Sequence, residues 1–237
     1  MHWWLPAAAS TFAGDIDRMF TWIMVVTGVA FVIVETGLIW FAIRYRWRPD
    51  RKAYYTHGSA RAEVIWTAVP AVVVVALALA SNQVWVKIKG RNSVPSGAYP
   101  MAVRAKQFEW RVTYPGPDAQ LGTGDDFELR NQLHVAVGRP VVLELTAEDV
   151  IHSFFVPEFR LKQDAVPGMT INVWFQPTQV DSMEIACAEL CGMGHYKMRG
   201  RVFVWPAEKF DACAQKTDQE FVDCLRPPET AEGETAS

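Results

Sequence analysis

The stretch FTWIMVVTGVAFVIVETGLIWFAI, residues 20–43, carries a single charge, Glu35, and a second run, VIWTAVPAVVVVALALASNQVWV at residues 64–86, carries none. At 1.5 Å of rise per residue, either run is long enough to cross a hydrocarbon core of ~30 Å. Two buried helices of a water-soluble core would need shorter runs and an apolar layer against them. The composition as a whole, half hydrophobic with a net charge of −3, conceals this segregation. The two runs are predicted to form a transmembrane hairpin. The connection at residues 44–61 holds Arg44, Arg46, Arg48, Arg51, Lys52 and Arg61 against one acid, Asp50. Short loops rich in Lys and Arg stay in the cytoplasm, which places both termini on the outer side of a bacterial plasma membrane. Trp22, Trp40, Trp47, Trp66 and Trp85 flank the runs as interfacial anchors. The leader MHWWLPAAASTFAGDIDR lacks the basic start of a secretory signal.

From Met101 the character changes. MAVRAKQFEWRVTY, HVAVGRPVVLELTAED, INVWFQP and GRVFVWP are short runs rich in Val, Phe and Trp, separated by turn signals such as YPGPD, GTGDD and VPGM. Short strands at this spacing predict an all-β Greek-key sandwich or barrel. The expected organisation is an extramembrane segment at residues 1–19, a helical hairpin at 20–88, a β-domain at 89–207, and a helical segment with an acidic, disordered tail at 208–237. No nucleic-acid partner is expected.

The densest chemistry lies in CAELCGMGHYKM, residues 187–198. Cys187 and Cys191 could form a disulfide, clamp zinc or hold copper. His195 and Met198 follow in the same Gly-punctuated loop, and soft sulfur with imidazole suits copper. Two thiolates on one loop can bridge two metal ions, and each ion then needs an imidazole. His195 supplies one. Of the other histidines, His2 stands at the chain start and His57 in the interhelical loop, out of reach. His152, in a turn after the strand PVVLELTA, is better placed than His134, which reads as an ordinary exposed histidine at a strand start. Two Cys and two His would also close a tetrahedral zinc site, a reading that leaves Glu189 and Met198 without a role.

These residues resemble the binuclear copper (CuA) signature of cytochrome c oxidase subunit II: an upstream His, then Cys-x-Glu-x-Cys-x-x-x-His-x-x-Met. AEDVIHSFFVP, LKQDAVPGM, EVIWTAVPA and the hairpin extend the likeness over residues 18–207 and imply a cupredoxin-like fold. The resemblance implies that Cys187 and Cys191 bridge the coppers, with His152 and His195 as terminal imidazoles. Met198 and the Glu189 carbonyl would be weak ligands, and the Glu189 side chain would reach a magnesium ion at the subunit I boundary. It implies no catalytic group in this chain and no turnover alone. Electrons would come from a c-type cytochrome and pass to haem in subunit I, for oxygen reduction coupled to proton translocation. Glu63 matches a glutamate at the mouth of a proton path. One departure is QFEW, residues 107–110: the family pattern places a tryptophan where Phe108 stands, so Phe108 and Trp110 are the electron-entrance candidates, with a membrane-attached or supercomplex-bound donor in view. The alternatives are a dicopper subunit of a nitric oxide reductase and a membrane-tethered metal-binding assembly factor.

Three further expectations concern charge and sulfur. Glu148, Asp149, Glu158 and Asp164 could form a surface complementary to a basic cytochrome. Glu35, inside the first span, is expected to make a polar contact with another subunit. Cys213 and Cys224 are too far apart on one straight helix to pair, but a turn near Lys216 would let them form a disulfide.

Overall fold

A computed structural model describes residues 5–225. The expected disordered tail, from Arg226, lies outside the described residues. The chain divides into two compact units. One runs from Asp15 to Lys87, and the other joins the residues up to Gly14 with those from Ile88 onward.

The first unit is built on α1 (Ala13–Arg44) and α2 (Ala60–Lys89), of 32 and 30 residues. Both extend past the apolar runs, and both exceed the ~20 residues a bilayer core requires. Their large side chains point outward along the helices, with Ile33 66 % and Val72 68 % exposed. Contiguous apolar surface of this extent marks a membrane or protein–protein contact. Lys87, near the end of α2, bonds Asp15 in the first turn of α1.

The second unit contains ten strands in two sheets. β1 (Tyr99–Lys106), β2 (Glu109–Tyr114), β3 (Phe127–Arg130), β5 (Val141–Ala147) and β8 (Ile171–Phe175) form one sheet, in the order β3-β2-β1-β5-β8. β4 (Gln132–Ala136), β6 (His152–Val156), β7 (Leu161–Ala165), β9 (Asp181–Cys187) and β10 (Arg199–Trp205) form the other, in the order β4-β10-β9-β6-β7. β1 runs parallel to β5 and β4 to β10, while the remaining pairs are antiparallel. Strand alternation supplies the core between the sheets: Trp110, Val112 and Tyr114 from β2, and Val141, Leu143 and Leu145 from β5, are all buried. This is the all-β sandwich that the sequence predicts.

Three details depart from the sequence reading. MAVRAKQFEWRVTY is two strands, folded at Gln107 and Phe108. His152 is the first residue of β6 rather than part of a turn, and His134 is buried at 3 % exposure rather than open to solvent. Its ring accepts a hydrogen bond from Trp205 Nε1 at Nδ1 (3.0 Å), and Nε2 faces Gln132 Oε1 at 3.2 Å. Trp is a donor only, so Nδ1 carries no proton and Nε2 carries it.

Two attachments complete the second unit. Ahead of α1, Ala9 and Ser10 are held by the 3-10 turn Pro157–Phe159 and by the loop after β8: Ala9 N–H donates to Glu158 O, Thr178 N–H donates to Ala9 O, and Ser10 Oγ–H donates to Phe159 O. Phe12 then meets Trp174 edge-on at 5.4 Å between ring centres, and Trp174 Nε1 donates to the Ile88 carbonyl at 2.9 Å. At the other end, α3 (Ala207–Cys213) and α4 (Asp218–Leu225) fold back through a turn and are joined by the Cys213–Cys224 disulfide. Phe221 of α4 packs on Tyr114 and Phe127.

Candidate metal centre

The loop from Cys187 to Met198 leaves β9 at its last residue and returns just before β10 begins. Antiparallel pairing of these strands fixes both ends, with Cys187 N–H donating to the Met198 carbonyl at 3.2 Å. β6 lies on the other side of β9, and its register sets Phe154 opposite Cys187. His152, two residues before Phe154, therefore reaches the loop, although 35 residues separate it from Cys187.

The donor atoms cluster closely. Cys187 Sγ and Cys191 Sγ are 3.8 Å apart. Cys187 Sγ lies 3.9 Å from His152 Nδ1 and 3.2 Å from the Glu189 carbonyl. Cys191 Sγ lies 3.6 Å from His195 Nδ1 and 3.8 Å from Met198 Sδ. The donor atoms of His152, Cys187 and Cys191 all fall within 4.8 Å of one another. Both thiols are free, so the loop holds no disulfide. Two adjacent sulfurs, each with its own imidazole nitrogen and a further weak donor, fit two soft metal ions sharing the sulfurs. A closed tetrahedral site would use neither weak donor.

Burial and hydrogen bonds hold this set in place. His152 is fully buried, Met198 is 1 % exposed and Cys191 3 %. Burial, together with the neighbouring Cys187, pushes the Cys191 thiol up to about 11. His152 Nε2 donates to Asp149 Oδ1 at 2.8 Å, which leaves Nδ1 directed at Cys187. Burial works to raise the Asp149 carboxyl, but bonds from His152 and from the backbone N–H groups of Gln107 and Val150 outweigh it and lower the value. Gln107 Nε2 donates to the Cys191 carbonyl. Gly192 (φ +130°) passes so close to this amide that an added Cβ would stand 2.7 Å from Nε2. Gln107 and Asp149 were not assigned this work from sequence. The AEDVIH spacing, an acid three residues before a candidate ligand, is the signal that could have found Asp149.

The other sequence candidates lie in different settings. Phe108 is half-buried against Gly192 and Gly194 of the ligand loop. Trp110 is fully buried, 6.2 Å from His152 ring to ring, so it presents no surface to a donor. Three of the four carboxylates considered for docking have partners within the chain: Glu148 pairs Lys106 at 3.0 Å, Asp164 accepts from Ser153 Oγ–H at 2.7 Å, and Asp149 holds His152. Glu158 is half-buried, and its Oε2 has no partner among the described residues. Glu189 is exposed at the loop surface, Glu63 is exposed in the first turn of α2, and Glu35 is half-buried in α1. A cavity of about 630 Å³ over β4 and β10, lined by His134, Arg201, Phe203 and Trp205 among others, contains none of the metal donors.

Two membrane-spanning helices and a β-sandwich that gathers paired thiols, two imidazoles and a thioether define a membrane-anchored domain with donor atoms grouped as for a metal. Residues 101–203 match the family described as cytochrome c oxidase subunit II, periplasmic domain, and residues 1–84 match its transmembrane domain. The alternative cytochrome c oxidase subunit 2 of Bradyrhizobium diazoefficiens is 33 % identical over 225 residues, covering 85 % of this chain and 79 % of the relative. The cytochrome c oxidase subunit 2 of Thermostichus vulcanus is 32 % identical over 262 residues, covering 89 % and 77 %. Among solved structures, the periplasmic domain of cytochrome oxidase subunit II from Bradyrhizobium japonicum aligns with a TM-score of 0.46 at 27 % identity, over 52 % of this chain and 94 % of that one. The chain belongs to the cytochrome c oxidase subunit II family, and is thus a two-span membrane subunit of an oxidoreductase complex.

Proposed function

We propose that the chain accepts electrons from a c-type cytochrome at a binuclear copper centre and delivers them to haem in subunit I of a haem-copper oxidase. One observation carries this reading: two thiol sulfurs 3.8 Å apart, flanked by one imidazole nitrogen each. His152, Cys187, Cys191 and His195 would hold the coppers, with Met198 and the Glu189 carbonyl as weak ligands. The copper pair supplies a one-electron carrier whose charge change is spread over two ions.

The chain's own residues supply rigidity around it. Asp149 fixes the orientation of His152, and partners of this kind typically matter 10–100-fold for metal affinity. Gln107 ties down the Cys191 carbonyl, and Phe108 covers the glycines of the loop. Burial of Cys191, Met198 and His152 keeps water from the ligands, which limits rearrangement when charge changes. The exposed Glu189 carboxylate is free to reach a magnesium ion at the subunit I boundary, and Glu63 stands at the helix end where a proton path would open. The positive charge of the loop supports a cytoplasmic position for residues 44–61, with the sandwich then on the outer side of a plasma membrane. Phe108, beside the ligand loop, is the nearer of the two aromatic candidates to a docking donor.

The test is copper loading of the detergent-solubilised full chain. The expected result is two coppers per chain, a purple colour and an electron-spin signal shared over two nuclei, lost in Cys191→Ser. A colourless zinc protein or a single-copper signal would overturn the reading.

A further inference from the structure

We propose that the loop between the two spans forms a binding site for the phosphodiester headgroup of an anionic lipid. The proposal rests on the two-span fold and is independent of the copper reading. α1 stops at Arg44, where the last carbonyls of a helix lack intrahelical partners. Arg51 returns to this end: its Nη1 donates to the Arg44 carbonyl at 2.6 Å, and its guanidinium lies 4.7 Å over the Tyr45 ring. This bond uses one of the five N–H donors of an arginine. It also closes the loop, leaving a cavity of about 620 Å³ lined by Arg46, Arg48, Arg51 and Lys52 together with aromatic side chains, Trp47 and Tyr54 among them.

Four cations share this cavity, and the loop's one acid, Asp50, does not line it. Among the described residues, none of the six cations of residues 44–61 is paired with a carboxylate. Like charges gathered without a counter-charge favour an anion between them. Arginine forks match phosphate oxygens in geometry as well as charge. A signal for membrane orientation needs only the number of cations near the span ends; it gives no reason for four of the six to converge on one cavity.

The rings select a lipid over free phosphate. Trp47 is 83 % and Tyr54 90 % exposed, and amphipathic rings of this kind settle at headgroup level. The cavity lies where α1 ends, and the end of a span is where headgroups begin. Liquid water takes ~30 Å³ per molecule, so the volume matches about twenty waters, ample for a phosphodiester with its glycerol.

The test uses the detergent-solubilised full chain, titrated with phosphatidylglycerol or phosphatidylcholine and read by native mass spectrometry. Retention of one phosphatidylglycerol in preference to phosphatidylcholine is expected. Each cation near an anionic headgroup is worth roughly fivefold in affinity. R46Q/R48Q, with both changes in the cavity lining, should therefore weaken phosphatidylglycerol retention roughly 25-fold. R44Q/R61Q removes the same charge outside the lining and should change retention less than about threefold. Equal losses in the two variants would mean diffuse attraction and would overturn the site. Displacement of the lipid by millimolar inorganic phosphate would overturn the lipid assignment, and equal retention of the two lipids would overturn both.

Discussion

Gly194→Ala isolates the contact between Phe108 and the ligand loop. A Cβ at this position would stand 2.4 Å from Phe108 Cδ2 and 2.7 Å from Cε2 and Cγ. Carbon atoms rest at ~3.5–4.0 Å, so the ring or the loop must move by about 1 Å. The backbone at Gly194 has φ −95° and ψ 8°, where alanine is tolerated. The effect is therefore contact alone, without backbone strain. Overpacking costs about 1–3 kcal/mol in a core. Because Phe108 is only half-buried and can yield toward solvent, the expectation is about 1.5 kcal/mol. At roughly 4 °C per kcal/mol for a domain of this size, the sandwich in the detergent-solubilised chain should melt about 6 °C lower, followed by near-UV circular dichroism. The decisive comparison is a double-mutant cycle with Phe108→Ala. Removing the ring should erase most of the alanine penalty, a coupling of about 1 kcal/mol or more. If Gly194→Ala costs the same with and without the ring, Phe108 does not brace the loop.

Three other perturbations test separate parts of the structure. Asp149→Ala should weaken copper binding by about 10–100-fold in competition with a chelator, with Asp149→Asn between it and the native chain; unchanged affinity would show that His152 needs no support. His134 is pushed down to about 4 by burial, whereas the unfolded chain titrates near 6.5. Below that pH the unfolded state takes up a proton that the folded state refuses, so stability should fall as pH drops from about 6.5 to 4, by on the order of 3 kcal/mol. His134→Gln should flatten that part of the profile in denaturant titrations, and a profile identical to the native one would refute the assignment. Cys213→Ser/Cys224→Ser opens a loop of sequence separation 11, for which chain entropy gives a loss of about 3 kcal/mol. No shift in the unfolding midpoint would mean that packing of Phe221 holds α4 without the bridge.

What was legible in the sequence was local. The spans announce themselves as long apolar runs with one charge between them, and five of the proposed metal ligands stand within twelve consecutive residues, 187–198. The Cys213–Cys224 pair was legible for the same reason, once a turn between the two was allowed. What depends on register was not legible. β6 and β7 read HSFFV and LKQDA, one polar then apolar and the other with three polar residues in a row, and neither shows the alternation of a half-buried strand. The burial of Trp110 follows from its place in β2 facing the second sheet, and QFEW alone cannot show which ring turns inward. The acids near the site looked like a charged rim because their partners, Lys106, Ser153 and His152, come from different strands or a strand start. Ala9 and Ser10 bond residues some 150 positions away, and no local pattern signals such pairing.

The clasp around Trp174 bears on how this protein can be cut down for study. Phe12 covers one part of the indole, and the Ile88 carbonyl satisfies its N–H. The chain thus passes into the hairpin and out of it beside one side chain, now only 8 % exposed. A water-soluble fragment started after the second helix would discard both contacts, leaving a bare indole and an open edge where Ala9 and Ser10 had bonded. A fragment that splices residues 5–14 directly to Ile88 through a short linker would keep the clasp closed. It is the shorter protein whose spectra and unfolding would still speak for the whole.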